Sequence, residues 1–149
     1  MRIIDRGTIF DATAAPPERR FCTVPSLVRL ENGRLVAALR AGSSKDAADE
    51  DTPVLVSDDN AATWRLVFSG FGDLPPGRGR IRAAGLTPIG GDRLVACLTC
   101  VDRSDPALPL FDPQTEGILP TRTLLAASAD AGESWAVLGE VPLAPHTGH

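Results

Sequence analysis

The sequence predicts an all-β chain built from two four-stranded antiparallel units in tandem. Three observations carry that expectation. An eight-residue turn phrase occurs twice, as Ser57-Asp58-Asp59-Asn60-Ala61-Ala62-Thr63-Trp64 and as Ser128-Ala129-Asp130-Ala131-Gly132-Glu133-Ser134-Trp135, and the two copies hold both tryptophans of the protein. A Gly/Asn/Asp hairpin followed by a short apolar run also occurs twice, at Glu31-Asn32-Gly33-Arg34-Leu35-Val36-Ala37-Ala38-Leu39 and at Gly90-Gly91-Asp92-Arg93-Leu94-Val95-Ala96-Cys97-Leu98. Helical signals are nearly absent, since no stretch keeps apolar residues at i, i+3, i+4 and i+7 over three turns. Duplicated phrases in the same order mean a duplicated structural unit.

Taken along the chain, residues 3–10 read as a strand that precedes the first unit. The first unit then carries strands at 24–30, 34–40, 53–57 and 64–69, each an apolar run bounded by Gly, Asn, Asp or Ser. The second repeats them at 81–87, 93–101, 121–127 and 135–141. Arg34 and Arg93 stand 59 positions apart, whereas Ser57 and Ser128 stand 71 apart. The second unit therefore holds 12 extra residues between its second and third strands, in the proline-rich loop around Pro106, Pro109 and Pro113. In the duplicated phrase, serine and aspartate hydrogen-bond nearby backbone amides and stabilise a tight turn. Gly132 supplies a left-handed backbone at no steric cost, and the Trp packs back over the turn. Ala61 replaces that glycine in the first copy, so its turn is expected to be strained.

The bulk composition narrows the function classes. Of 149 residues, 43% are hydrophobic and 23% charged, with a net charge of −4, which suits a globular domain and not a disordered one. There is no basic patch with interleaved aromatics, so no nucleic-acid partner is expected. No apolar run approaches the roughly 20 residues of a membrane span. The opening Met1-Arg2-Ile3-Ile4-Asp5-Arg6 lacks the apolar core of a signal peptide, so the chain as given reads as cytoplasmic. Cys97 and Cys100 form a Cys-x-x-Cys on a strand, where residues three apart face opposite ways; with no second pair or nearby His, they read as buried, inert thiols. His146 and His149 lack carboxylate partners and read as the start of a further unit. No cofactor and no metal is expected.

Four antiparallel strands per unit is the makeup of a propeller blade. The duplicated phrase, Ser-x-Asp-x-(Gly/Ala)-x-(Thr/Ser)-Trp, resembles the Asp box or BNR repeat of the sialidase (neuraminidase) superfamily. The resemblance implies a partial sialidase-type β-propeller with about two blades of an expected six. Blade one spans about 21–70, blade two about 80–143, and a third begins after 143. Six blades need on the order of 350 residues. The remaining blades are thus expected from the same longer chain, the alternatives being a free-standing two-blade protein or a ring assembled from several copies. Residues 3–10 would then close the ring onto the final blade.

Strand polarity gathers the long loops, rich in Arg and Asp, at one end of the blades and the short turns at the other. Function usually resides on such long loops. The resemblance places a substrate-contacting arginine at Arg40 and the general acid/base at Asp46, with Asp49 as the alternative carboxylate. Sialidases open blade one with Arg-Ile-Pro, whose arginine grips the substrate carboxylate; here Thr23-Val24-Pro25 stands in its place, and Arg20 lies three residues earlier. Arg80 and Arg82 head blade two, and Asp102, Arg103 and Asp105 open its long loop; Arg20, Arg82 and Asp102 join Arg40 as substrate-binding candidates. The family nucleophile is a tyrosine, and this chain has none. The readings that follow are a sialidase-like glycoside hydrolase acting on a glycan or sugar, or a non-catalytic propeller that binds glycans or protein partners.

Overall fold

A computed structural model of the chain describes residues 6–72 and 79–142. Eight strands fall into two antiparallel sheets of sequential order. The first holds β1 (Phe21–Arg29), β2 (Leu35–Gly42), β3 (Val54–Ser57) and β4 (Arg65–Phe68). The second holds β5 (Gly79–Pro88), β6 (Leu94–Asp102), β7 (Thr121–Ser128) and β8 (Ala136–Glu140). All eight strands expected from the sequence are present, with ends shifted by a few residues. The repeat is carried in the register itself. Leu35 pairs with Ser57 in the first sheet and Leu94 with Ser128 in the second. The extra loop of the second unit forms a small hairpin, bridged at Phe111 and Ile118.

Two expectations need correction. Residues 6–10 are not a strand; residues 3–5 lie outside the described residues. Residues 6–10 join no ladder among the described residues, and Ile9 and Phe10 instead pack on a small cluster of Leu39, Ala41 and Leu55. A short 3-10 turn, Pro17–Arg19, then leads into β1. Cys97 and Cys100 do face opposite ways, but only Cys100 is buried, because Cys97 lies on the side of the second sheet that nothing described covers. Residues 143–149, with His146, His149 and the expected start of a third blade, also lie outside the described residues. No helix among the described residues is long and apolar enough to cross a membrane.

The main core lies between the two sheets. Val36, Ala38, Val54 and Val56 from the first meet Leu94, Ala96, Leu98, Leu124 and Ala126 from the second, and Phe71 fills the junction. Phe71 makes edge contacts with Phe68 and Trp135, at 5.0 and 5.5 Å between ring centroids. The link between blades is fixed by Asp51. Its buried carboxylate accepts from the backbone amides of Thr52 (2.7 Å), Phe71 (2.9 Å) and Gly72 (3.0 Å). Gly70 makes this possible, since a Cβ there would lie 2.3 Å from the Asp51 carboxylate.

The two copies of the turn phrase fold alike. Ser57 Oγ donates to Asp59 and accepts from Ala61 N, and Asp59 accepts from both Thr63 N and Thr63 Oγ1. Ser128, Asp130, Gly132 and Ser134 repeat each of these bonds. Trp135 folds back and donates from Nε1 to Gly132 O at 3.1 Å, whereas Trp64 packs in the outer cluster with Ile9 and Phe10. Ala61 has φ +71° and Gly132 φ +93°, so the alanine does carry the strain expected of it. The difference follows from position. Gly132 presses on blade one, where a Cβ would come 3.1 Å from Val36 Cγ1. Ala61 faces outward, towards Gly7.

Gly132→Ala is expected to lower stability by about 1–2 kcal/mol, from backbone strain and crowding of Val36. Ala61→Gly should change it by less than about 1 kcal/mol, in the stabilising direction, because relief of strain is offset by glycine entropy. Urea melts of the two variants check the contrast; equal effects would remove the positional explanation. A pH dependence also follows. Hydrogen bonds from Thr63 and then Ser57 hold the Asp59 carboxyl down to about 2, from an ordinary 3.8. A depressed carboxyl stabilises the fold above its unfolded value and loses that effect as pH falls through its folded value. The melting temperature should therefore fall between about pH 4 and pH 2. Asp59→Asn should flatten that slope, and an unchanged slope would refute the assignment.

Candidate functional site

At the end of the blades opposite the duplicated turns, five charged side chains converge. The inner strands β1 and β5 both carry bulges here, between Thr23 and Ser26 and between Ile81 and Ala83. Val24, beside Thr23, has φ +50°, a strained value for a β-branched residue. Arg82 occupies the second bulge, and bulges re-aim side chains. The guanidinium of Arg82 clasps both oxygens of Glu50, at 3.0 and 3.1 Å, and also contacts Asp46. Arg40, near the end of β2, lies 3.5 Å from Asp46 Oδ1 and 3.5 Å from Glu50 Oε2. Its Nε donates to Thr23 Oγ1 at 2.9 Å. Arg103 donates to the Asp46 backbone carbonyl at 2.9 Å and lies 3.6 Å from Glu50. Side-chain exposures are 1% for Glu50, 4% for Arg103, 7% for Arg40, 15% for Arg82 and 21% for Asp46, so Asp46 is the most open of the five.

Three guanidiniums thus face two carboxylates, leaving one positive charge in excess. Arg103 Nε is buried with no hydrogen-bond acceptor among the described residues. The Arg82 contact holds the Asp46 carboxyl below the ordinary carboxylate range, and it outweighs the upward push of burial. Asp46 is therefore ionised in this state and acts as an acceptor, not as an acid. It also sits at φ +64°, a backbone strain of the kind that clusters at functional loops.

The other sequence candidates fall elsewhere. Asp49 accepts from Ser43 N and Ser43 Oγ, both at 3.1 Å, and shapes the loop that carries Asp46. Arg20 is exposed and donates to Ala15 O, bracing the segment before β1. Asp102 and Asp105 accept from Ser104 N and Ala107 N, forming turns that open the long loop. Arg80 is exposed. Sequence reasoning did not single out Glu50, which stands in the acidic stretch from Asp46 to Asp51. Glu50 and Asp51 are in fact buried, and the signal that separates them from their neighbours is their place just before the apolar start of β3. No grouping of three or more His, Cys, Asp or Glu able to hold a metal ion occurs among the described residues.

No family model matches the chain, and no curated protein matches it. Solved structures do share the fold. An α-L-arabinanase from Penicillium chrysogenum, complexed with arabinobiose, superposes with a TM-score of 0.60 at 20% identity, over 91% of this chain and 36% of that one. An α-L-arabinofuranosidase from Fusarium graminearum gives 0.59 at 18% identity, over 85% and 34%. A Hadza microbial sialidase gives 0.54 at 18% identity, over 80% and 25%. The chain is accordingly a partial β-propeller of the kind found in glycoside hydrolases, spanning about a third of the arabinanase's length.

Removing the Glu50 charge tests the network. Glu50→Gln leaves three arginines facing one carboxylate, and the loss should be about 3–5 kcal/mol, as for other broken buried pairs. Denaturant unfolding measures it, and a change below about 1 kcal/mol would mean that the cluster is solvated.

Proposed function

We propose that this chain forms two blades of a glycoside hydrolase of the sialidase type, in which Asp46 is the acid/base and Arg40 and Arg82 contact the sugar. The single observation behind this reading is the pairing of Asp46 with Arg40 and Arg82 at the mouth of both blades. Asp46 is the most exposed member of an otherwise buried cluster, so it is the carboxylate a substrate can reach. With Arg82 against it, the carboxylate suits the base role. To donate a proton to a glycosidic oxygen, it needs a partner that draws Arg82 away and lets the carboxyl pKa rise. A sugar hydroxyl or ring substituent accepting from Arg82 would serve.

In this reading the nucleophile comes from blades beyond these two, in the same longer chain, since the 149 residues hold no tyrosine. Thr23 supports a sugar other than sialic acid. Its hydroxyl is committed to Arg40, and an arginine that would grip a carboxylate is missing from that position. A non-catalytic propeller that binds glycans is the second reading. It is favoured by the saturation of Asp46 with arginine contacts.

The test is hydrolysis of fluorogenic α-L-arabinofuranosides, arabinan oligosaccharides and α-sialosides by the protein with its ring complete. Asp46→Asn should lower kcat/KM by about 100- to 10,000-fold on the accepted sugar. Asp49→Asn should cost far less. No turnover on any sugar, with binding retained, would leave the second reading.

A further inference from the structure

The chain holds two asparagines, Asn32 before Gly33 and Asn60 before Ala61. An asparagine amide is open to attack by the backbone nitrogen of the next residue, and a glycine there leaves the approach free of a side chain. Asn32 is exposed at the tip of the first hairpin, so water and hydroxide reach it. Once hydroxide takes its proton, the Gly33 nitrogen can bond to Asn32 Cγ. The Cγ–Nδ2 bond then breaks, and the amide nitrogen takes up a proton and leaves as ammonia. The five-membered imide adds one water at either carbonyl, which gives aspartate or isoaspartate at position 32. No oxidant, reductant or enzyme takes part.

In the folded chain each group of that step is held. Gly33 N donates to Leu30 O at 3.0 Å, so its proton is engaged. Asn32 Oδ1 accepts from Arg34 N at 2.9 Å, the side-chain-to-backbone bond typical of asparagine in turns. Asn32 Nδ2 donates to Asp92 Oδ1 of the second blade at 2.8 Å. Asp92 is braced in turn, its carbonyl accepting from Ala131 N in the duplicated turn at 2.8 Å. The nitrogen that would leave is thus the atom joining the two hairpins. After its loss, two carboxylates face each other there, and Arg34 already serves Asp58 and Glu133. We propose that Asn32 is a deamidation site guarded by the contact between blades. Asp92 slows the loss of ammonia while the blades are closed, and that loss replaces their hydrogen bond with a repulsion. Both partners belong to the two described blades, so the inference depends neither on further blades nor on the catalytic reading.

The intact protein is held at mildly alkaline pH, with and without concentrated urea, and its peptides are weighed and assayed for isoaspartate over time. Asn32 should convert in both, at least about tenfold more slowly when folded, because reaction then waits on local opening. Asn60, followed by alanine, should stay unconverted over the same period. Asp92→Ala should speed the folded reaction at least about threefold with an unaltered far-ultraviolet spectrum. Asp92→Asn, which keeps an acceptor oxygen, should react like the unmodified protein. Asn32→Asp should lower the melting temperature by about 2–4 °C. Adding Asp92→Asn should restore it, since one amide and one carboxylate then meet again. Equal rates in the folded and unfolded chain, or an unmoved rate in Asp92→Ala, would overturn the guarding role. An Asn32 that survives in urea would overturn the site itself, and an unchanged melting temperature in Asn32→Asp would overturn its consequence for the blades.

Discussion

Glu50 is 1% exposed and lies among three guanidiniums that come from three separate segments: Arg40 from β2, Arg82 from the bulge of β5, and Arg103 from the loop after β6. Taking a carboxylate out of water costs several kcal/mol unless its charge and lone pairs are met. The burial of Glu50 therefore requires all three arginines in place at once. This ties the upper ends of both blades into one arrangement, and it explains why Arg82 is turned inward at a bulge. It also gives a physical reason for Thr23. The hydroxyl satisfies Arg40 Nε. An arginine there would add a fourth cation to three that already face only two carboxylates.

The opposite end of the blades is tied by a different chemistry. Arg34 makes a two-bonded pair with Asp58 of its own blade and reaches Glu133 of the next, which also takes Arg65. Asn32 donates to Asp92 across the two hairpins at 2.8 Å. These groups are mostly solvated and individually weak, so they set the angle between blades more than the stability. Stability resides in the aliphatic layer between the sheets. Glycine at 132 lets the turn of blade two approach that layer, while the outward-facing turn of blade one tolerates alanine.

The fold was legible because its signals are local. Apolar runs, hairpin glycines and a turn phrase that bonds to itself act over fewer than ten residues, and they occur twice. The segment before β1 was misread because an apolar run such as Ile9-Phe10 looks the same whether it pairs in a ladder or packs as a strap. Cys97 was misread for a related reason. Alternation tells which face a strand residue takes, but burial depends on whether something covers that face. In the candidate site, Arg40 and Asp46 were named from the family resemblance and Arg82 from its place at the head of blade two, and the three side chains lie together. Glu50 was not singled out, because its one mark in the acidic stretch is its place, with Asp51, just before the apolar start of β3.

The sequence by itself determined the number of units, the strand order and the polarity that separates long loops from short turns, since all of these follow from repeat and period. Only the tertiary structure decided which charges meet. Residues 40, 46, 50, 82 and 103 are brought together by two sheets stacking face to face, and ion pairing depends on distances across that stack, which no local pattern encodes. The same stacking decided which apolar face of the second blade the first blade covers.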